Sequence, residues 1–426
     1  MDDTPQRSER TSIVDGRRRS STRRAFLTGG VAALASVATV GTVTGQRRIG
    51  DAVVSAGGNA EYDTIQSAIE EADPGDAICV LPGVYEGTVS VDVRDVKLIS
   101  IQPGRAAIRD SYSDAGPVVD VAADGVTVQG FRVSNPDGRL GIAVSGGLSG
   151  VSIALNHVTD VGPFGPPGGT GISVSPPQAG LTVAENVVEG VESVVPESET
   201  YPISDGIVVT GVAGGDERAT LSDAAIRDNV VRELTSEYAC RGITVAADAT
   251  TVDVDHNDIY GISAANEDNE PSTYALAFQT AGTTDEVTFE RNLIEDVTAS
   301  EYVGAGLLLR GEPDDLLVTR NDLLTSVGLQ NEADVAVTAT GNWWGNRSGP
   351  RSVSSNRAVR GDDRPRERAA IVGPVEIDPW LTESIQSEDA TTNWYVEERL
   401  SSEPLPYTEE TNTRLDLASR YTGARR

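Results

Sequence analysis

One phrase returns through residues 141–321: a Gly-Ile-x-Val segment, then a Val-x-Val segment, then Asn. It reads Gly141-Ile142-Ala143-Val144, Val151-Ser152-Ile153 and Asn156, then Gly171-Ile172-Ser173-Val174, Leu181-Thr182-Val183 and Asn186. Further copies open at Gly206, Gly242, Ala275 and Gly306 and close on Asn229, Asn257, Asn292 and Asn321. Short alternating segments that recur every ~20–50 residues, with no helical period, stack into a solenoid. Alternate Val and Ile face the interior. Gly lets the chain bend between faces, and one Asn per coil can bond to its neighbours along the axis as a ladder. The expected fold is all-β, a parallel β-helix.

Two flanking stretches extend the reading. Tyr62-Asp63-Thr64-Ile65-Gln66-Ser67-Ala68-Ile69 leads through Pro74-Gly75-Asp76 to Val80-Leu81-Pro82-Gly83-Val84-Tyr85. Ile65, Ala68, Ile69 and Ala72 share one helical face, suited to covering the open end of an apolar tube. Near the other end stand Gly341-Asn342-Trp343-Trp344-Gly345, Ser348-Gly349-Pro350 and Asp378-Pro379-Trp380-Leu381. With these motifs, residues 51–381 resemble the right-handed parallel β-helix (pectin-lyase-like) superfamily, in its NosD-like branch of secreted β-helix-repeat proteins. The resemblance implies a capping helix before the first coil and a closing segment around the tryptophans. Such proteins include lyases, hydrolases, esterases and binding proteins, so fold does not carry function.

The organisation expected is a signal region at 1–45, the β-helix at 46–381 and an acidic, flexible tail at 382–426. Thr22-Arg23-Arg24-Ala25-Phe26-Leu27 before the apolar run Thr28 to Val43 matches a twin-arginine export signal. The mature chain is expected to begin near Gln46 and to be secreted or surface-bound. No other stretch is long and apolar enough to span a membrane. Sixty-five acidic residues stand against 34 basic ones, for a net charge of −31. Lys97 is the sole lysine. This surplus resembles the proteins of extreme halophiles and predicts that folding depends on molar salt, to be checked by melting in low and molar KCl. The charge reads as evenly spread, without the basic patch that nucleic-acid binding needs. A monomer is expected. Cys79 and Cys240 sit about five coils apart, roughly 24 Å at the β spacing. That exceeds the ~7 Å reach of a disulfide, and two buried thiols are expected.

The second half of each coil varies in length, so loops gather on one side of a constant frame, where binding sites tend to lie. Four of these loops carry tyrosines: Tyr201, Tyr238, Tyr274 and Tyr302, with Glu237 and Glu301 beside them. A row of aromatic faces at coil spacing suits stacking on sugar rings; it equally suits packing loops onto the coil. Immediately before successive repeat strands stand Thr170, Asp205, Arg241 and Tyr274. The lyases that the chain resembles use a base such as Arg to remove the proton next to a uronate carboxylate, which makes Asp205 and Arg241 the catalytic candidates. An exterior ion pair without chemistry is the alternative. The next outward row, Ala143, Ser173, Val208, Thr244, Ala277 and Leu308, lacks the carboxylates of glycosidases and calcium-dependent lyases. His157 and His256 lie three coils apart, so no copper or zinc set forms. The run Asn266-Glu267-Asp268-Asn269-Glu270 reads as a solvated surface, with a Ca²⁺ site as the alternative, and no cofactor is expected. The leading reading is an exported protein that binds polysaccharide along its loop face. Its rivals are a carbohydrate-active enzyme, a polysaccharide lyase or hydrolase, and a structural or adhesive envelope protein.

Overall fold

A computed structural model describes residues 50–110, 116–164, 168–194, 202–210, 220–265, 273–280, 284–299, 304–354 and 368–385, with Gly282, Val359 and Leu400. Tyr201, Glu301, Tyr302 and the 266–270 run fall outside these residues, as does the export-signal region. The described chain winds through three parallel sheets. Sheet 1 has 14 strands, from Ala52–Val54 to Val375–Glu376, sheet 2 has 10, from Gly83–Glu86 to Asp322–Leu324, and sheet 3 has 11, from Val89–Val91 to Ala370–Val372. Most turns of the coil contribute one strand to each sheet, paired with its counterpart one coil on, and short extra strands such as Leu148–Ser149 and Gln178–Ala179 pair beside the main path of sheet 1. The coil is right-handed, the sense taken by ~98% of crossovers between parallel strands.

The interior is a line of buried Val, Ile, Leu and Phe, including Ile142, Ile172, Ile207 and Ile243 in sheet 3 and Val158, Val188, Val231 and Ile259 in sheet 2. The helix Ile65–Glu70 closes the first coil with Ile65, Ala68 and Ile69 buried, and the Thr64 side chain caps it by accepting from the Ser67 N–H. At the far end Trp344 is fully buried.

Two local devices turn the chain. Between sheets 1 and 2, the residue before each ladder Asn is left-handed: Leu155, Glu185, Asp228, His256, Arg291 and Arg320 all have φ of 55–58°. For L-residues this costs about 1–2 kcal/mol each, and the ladder offsets it. Asn156, Asn186, Asn229, Asn257, Asn292, Asn321 and Asn342 form one continuous buried row. From Asn186 on, each Oδ1 accepts from the backbone N–H and the side-chain Nδ2 of the preceding coil's Asn, and each Nδ2 also donates to a carbonyl of that coil, as Asn257 does to Ile226 O at 2.9 Å. Asn342 extends the row one coil beyond the repeat phrase.

The second device corrects the sequence reading of the repeat glycines. Gly141, Gly171, Gly206 and Gly242 have no left-handed φ. A Cβ at Gly206 would lie 2.5 Å from Gly242 O and 2.5 Å from Val231 Cγ1, and one at Gly141 would lie 2.5 Å from Val158 Cγ1. The glycine is required for room, because two successive residues face inward at the corner where sheet 3 begins.

Cys79 and Cys240 are buried free thiols. Part of the 382–426 segment rests on the coil instead of standing free. Ser384 Oγ and the Ile385 N–H donate to the buried carboxylate of Asp322, and Leu400 packs on Val187 and Val230 outside sheet 2. No helix among the described residues is long and apolar enough to cross a membrane.

Candidate functional site

The first candidate is the column at the start of the sheet 3 strands. Thr170, Asp205, Arg241, Tyr274 and Ala305 are direct cross-coil partners, so the sequence register holds. Asp205 and Arg241 pair in a fork: Nε donates to Oδ1 at 2.5 Å and Nη2 to Oδ2 at 2.6 Å. The Asp205 side chain is 9% exposed and that of Arg241 24%. Burial alone would lower the Arg241 pKa, but the Asp205 carboxylate more than offsets it and drives the value well above the ordinary range. A guanidinium held charged in this way has no lone pair to receive a proton. The Asp205–Arg241 pair is a tie between coils.

Tyr274 is corrected as well. Its ring is 2% exposed and packs with Ala277, Ala305, Leu308, Val327, Val359 and Ala370 on the outside of sheet 3. Gln279 Nε2 lies 3.4 Å from its hydroxyl, and burial raises the hydroxyl's pKa. It cannot present a face to a ligand. The outward row beside it has the register expected, yet from Val208 through Thr244, Ala277 and Leu308 it is buried. Apolar residues on an outer face are there to be covered, and Val353 and Val359 supply part of that cover.

The loop edge between sheets 2 and 3 is open. Glu237 is exposed and Tyr238 half-buried, its N–H donating to Ser236 Oγ at 3.0 Å. Just before this edge, Glu192, Thr235, Ser263 and Thr298 are exposed and in direct register, one per coil. Alternation produces the column: Val191, Leu234, Ile262 and Val297 point inward, so the next residue must point out. Of the sequence-derived candidates, Glu237 and Tyr238 remain accessible, Asp205, Arg241 and Tyr274 are locked in packing, and Tyr201, Glu301 and Tyr302 lie outside the described residues.

A polar chain on the outer face of sheet 2 was not foreseen. His157 Nε2 donates to Glu189 Oε1 at 2.6 Å, Arg232 Nε donates to Glu189 Oε2 at 2.7 Å, and Arg232 Nη1 donates to the Tyr260 hydroxyl at 2.9 Å. The signal lay in the offsets: these residues stand one or three places after a ladder Asn, and so share a face. The His157 hydrogen bond, followed by the Arg232 contact, holds the Glu189 carboxyl down to about 2 against the opposing effect of burial. A depressed carboxyl adds stability that is complete above the unfolded value of 4.5 and is lost as pH falls towards 2. The shift corresponds to about 3 kcal/mol at order-of-magnitude precision. Acid titration of stability should show this loss in the wild type and a much flatter profile in Glu189→Gln; superimposable profiles would contradict the assignment. Among the described residues no group of three His, Cys, Asp or Glu is arranged to hold a metal ion.

No family model and no curated protein match the chain. Among solved structures, an alginate lyase from Paenibacillus sp. is similar at 12% identity and a TM-score of 0.47, covering 73% of this chain and 96% of that one. A pectin methylesterase from Aspergillus niger is similar at 14% identity and a TM-score of 0.32, covering 65% of this chain and 89% of that one. The carrot pectin methylesterase gives 11% identity and a TM-score of 0.26, covering 58% of this chain and 85% of that one. What is common to them and to this chain is the parallel β-helix, and no residue's role is carried over.

Proposed function

We propose that this is an exported parallel β-helix protein that holds an extracellular polysaccharide along the edge between sheets 2 and 3. The observation that supports this most is the exposed column Glu192, Thr235, Ser263 and Thr298, in register from coil to coil and flanked by Glu237 and Tyr238. A ligand that repeats along its own length can make the same contact at each coil, about 4.8 Å apart. Carboxylates and hydroxyls at that spacing suit sugar hydroxyls, and a half-exposed ring suits the apolar face of a sugar. The reading is of binding, not cleavage, because the Asp205–Arg241 pair is committed to structure. A glycan array at high salt, repeated with Tyr238→Ala, tests it. A hit whose affinity falls about tenfold, with stability changed by less than ~1 kcal/mol, is expected. A wild type that retains no glycan would end the reading.

Export through the twin-arginine route belongs to the same proposal and rests on Arg23-Arg24 before the apolar run. Changing both arginines to lysine should leave the protein inside the cell, and undiminished secretion would refute the route.

A further inference from the structure

A departure from the acidic character of the chain lies near its closing coil. Between Arg347 and Arg368 stand seven arginines against Asp362, Asp363 and Glu367, in a protein whose carboxylates outnumber its bases 65 to 34. This corrects the sequence expectation of evenly spread charge. Elsewhere arginines find carboxylates readily, as in Arg109–Glu86, Arg232–Glu189, Arg241–Asp205 and Arg310–Glu332. Arg368 does not. It spends Nε on Gly349 O and Nη2 on Ser348 O and Pro350 O, each at 2.7 Å. Three carbonyls thus fix the guanidinium plane at the surface, and its Nη1 is not engaged by them.

Its neighbours complete a patch. Arg351 belongs to the edge strand Arg351–Val353 of sheet 3, and its Nε donates to Arg368 O at 3.3 Å. Arg347 is exposed, and its carbonyl accepts from Trp380 Nε1 at 3.2 Å. The Trp380 ring lies so close to Gly349 that a Cβ there would sit 2.5 Å from Cε2. Gly349 has a φ of 69°, which also favours glycine. The indole is half-buried, resting against the core on one side. The nearest acids along the chain from Trp380 are Asp378 and Glu383, both exposed.

We propose that Arg347, Arg368 and Trp380 form a second binding patch, for the anionic groups of a carboxylated or sulfated polysaccharide. Arg368 keeps its two Nη1 hydrogens, in a fixed plane, for one acid oxygen, and the exposed Arg347 guanidinium offers the fork that matches carboxylate and sulfate oxygens. The exposed part of the indole receives the apolar face of the same sugar. The acidic body of the coil repels a polyanion, so attraction within the coil is strongest at this end. The assignment rests on the glycan reading above and adds the charge class of one ligand.

Affinity electrophoresis of the full chain through gels containing polygalacturonate, dextran sulfate or plain dextran tests it, at the lowest salt in which the fold persists. The wild type should be retarded by at least one polyanion. Arg347→Glu should weaken that retardation about tenfold without moving the melting temperature, since the Arg347 side chain is exposed. Arg347→Ala, which removes the charge without reversing it, provides a second variant and should give a smaller loss. Retardation by both polyanions points to charge density as the recognised feature, and retardation by one alone to its particular acid group; either supports the patch. Equal retardation of wild type and both variants, or none in either polyanion, overturns it. So does stronger retardation by duplex DNA than by either glycan, which would make the patch a nucleic-acid surface. Plain dextran separates the two readings: retardation that depends on Tyr238 and not on Arg347 leaves the edge site standing while the patch falls.

Discussion

Asn257→Ala is expected to lower stability by about 3–5 kcal/mol, read from the denaturant midpoint in high salt. The side chain occupies the middle of the ladder. Its Oδ1 accepts from Asn229 N and Asn229 Nδ2, and its Nδ2 donates to Ile226 O and Asn292 Oδ1. Alanine would remove these four bonds at a fully buried position, while Asn229 Nδ2 keeps its bond to Val183 O. Each buried polar group left unmade costs about 1–3 kcal/mol, and relaxation at the corner recovers part of the sum. Ser152→Ala, on the half-exposed outer face of sheet 1, is the control and should stay within about 0.5 kcal/mol. If Asn257→Ala moved stability by no more than the control, the ladder would not be what holds the left-handed corner residues.

Asp205→Ala should cost about 3–5 kcal/mol, because it strands the Arg241 charge in a site with little access to water. The informative comparison is the double variant Asp205→Ala with Arg241→Leu. Removing both charges removes the stranded one, so the double should recover most of what the single loses. Simple additivity would mean that the two side chains do not act as a pair. The double variant also bears on chemistry: if Arg241 were a base, turnover of a uronate polymer would be lost in a protein that remains folded.

The repeat and its ladder were legible because their physics is local and periodic. A residue facing inward in one coil faces inward in the next, so Val183, Val254 and Phe289 predict the burial of Asn186, Asn257 and Asn292 three positions later. The register of Thr170, Asp205, Arg241 and Tyr274 followed from the same count. Two other readings failed for identifiable reasons. The corner glycines looked like flexible bends, yet they are set by the distance to Val158, Val188, Val231 and Ile259 in another sheet. Tyr274 looked like a ligand-facing ring because its exposure depends on Val359, 85 positions further along the chain. The arginine excess at 347–368 was in plain view and was averaged away when charge was counted over the whole length.

By itself, then, the sequence determined the coil, its inward and outward rows, the buried asparagines and the separation of the two cysteines. These depend on alternation within a strand and on one translation per coil, and both are properties of neighbouring residues. Tertiary structure alone decided which outward rows stay open. Asp205 and Arg241 became a tie, Tyr274 a packed ring, Glu237 and Tyr238 an accessible edge, and Arg368 a guanidinium held by three carbonyls. Exposure depends on what the rest of the chain lays over a surface, and no period along the strand encodes that.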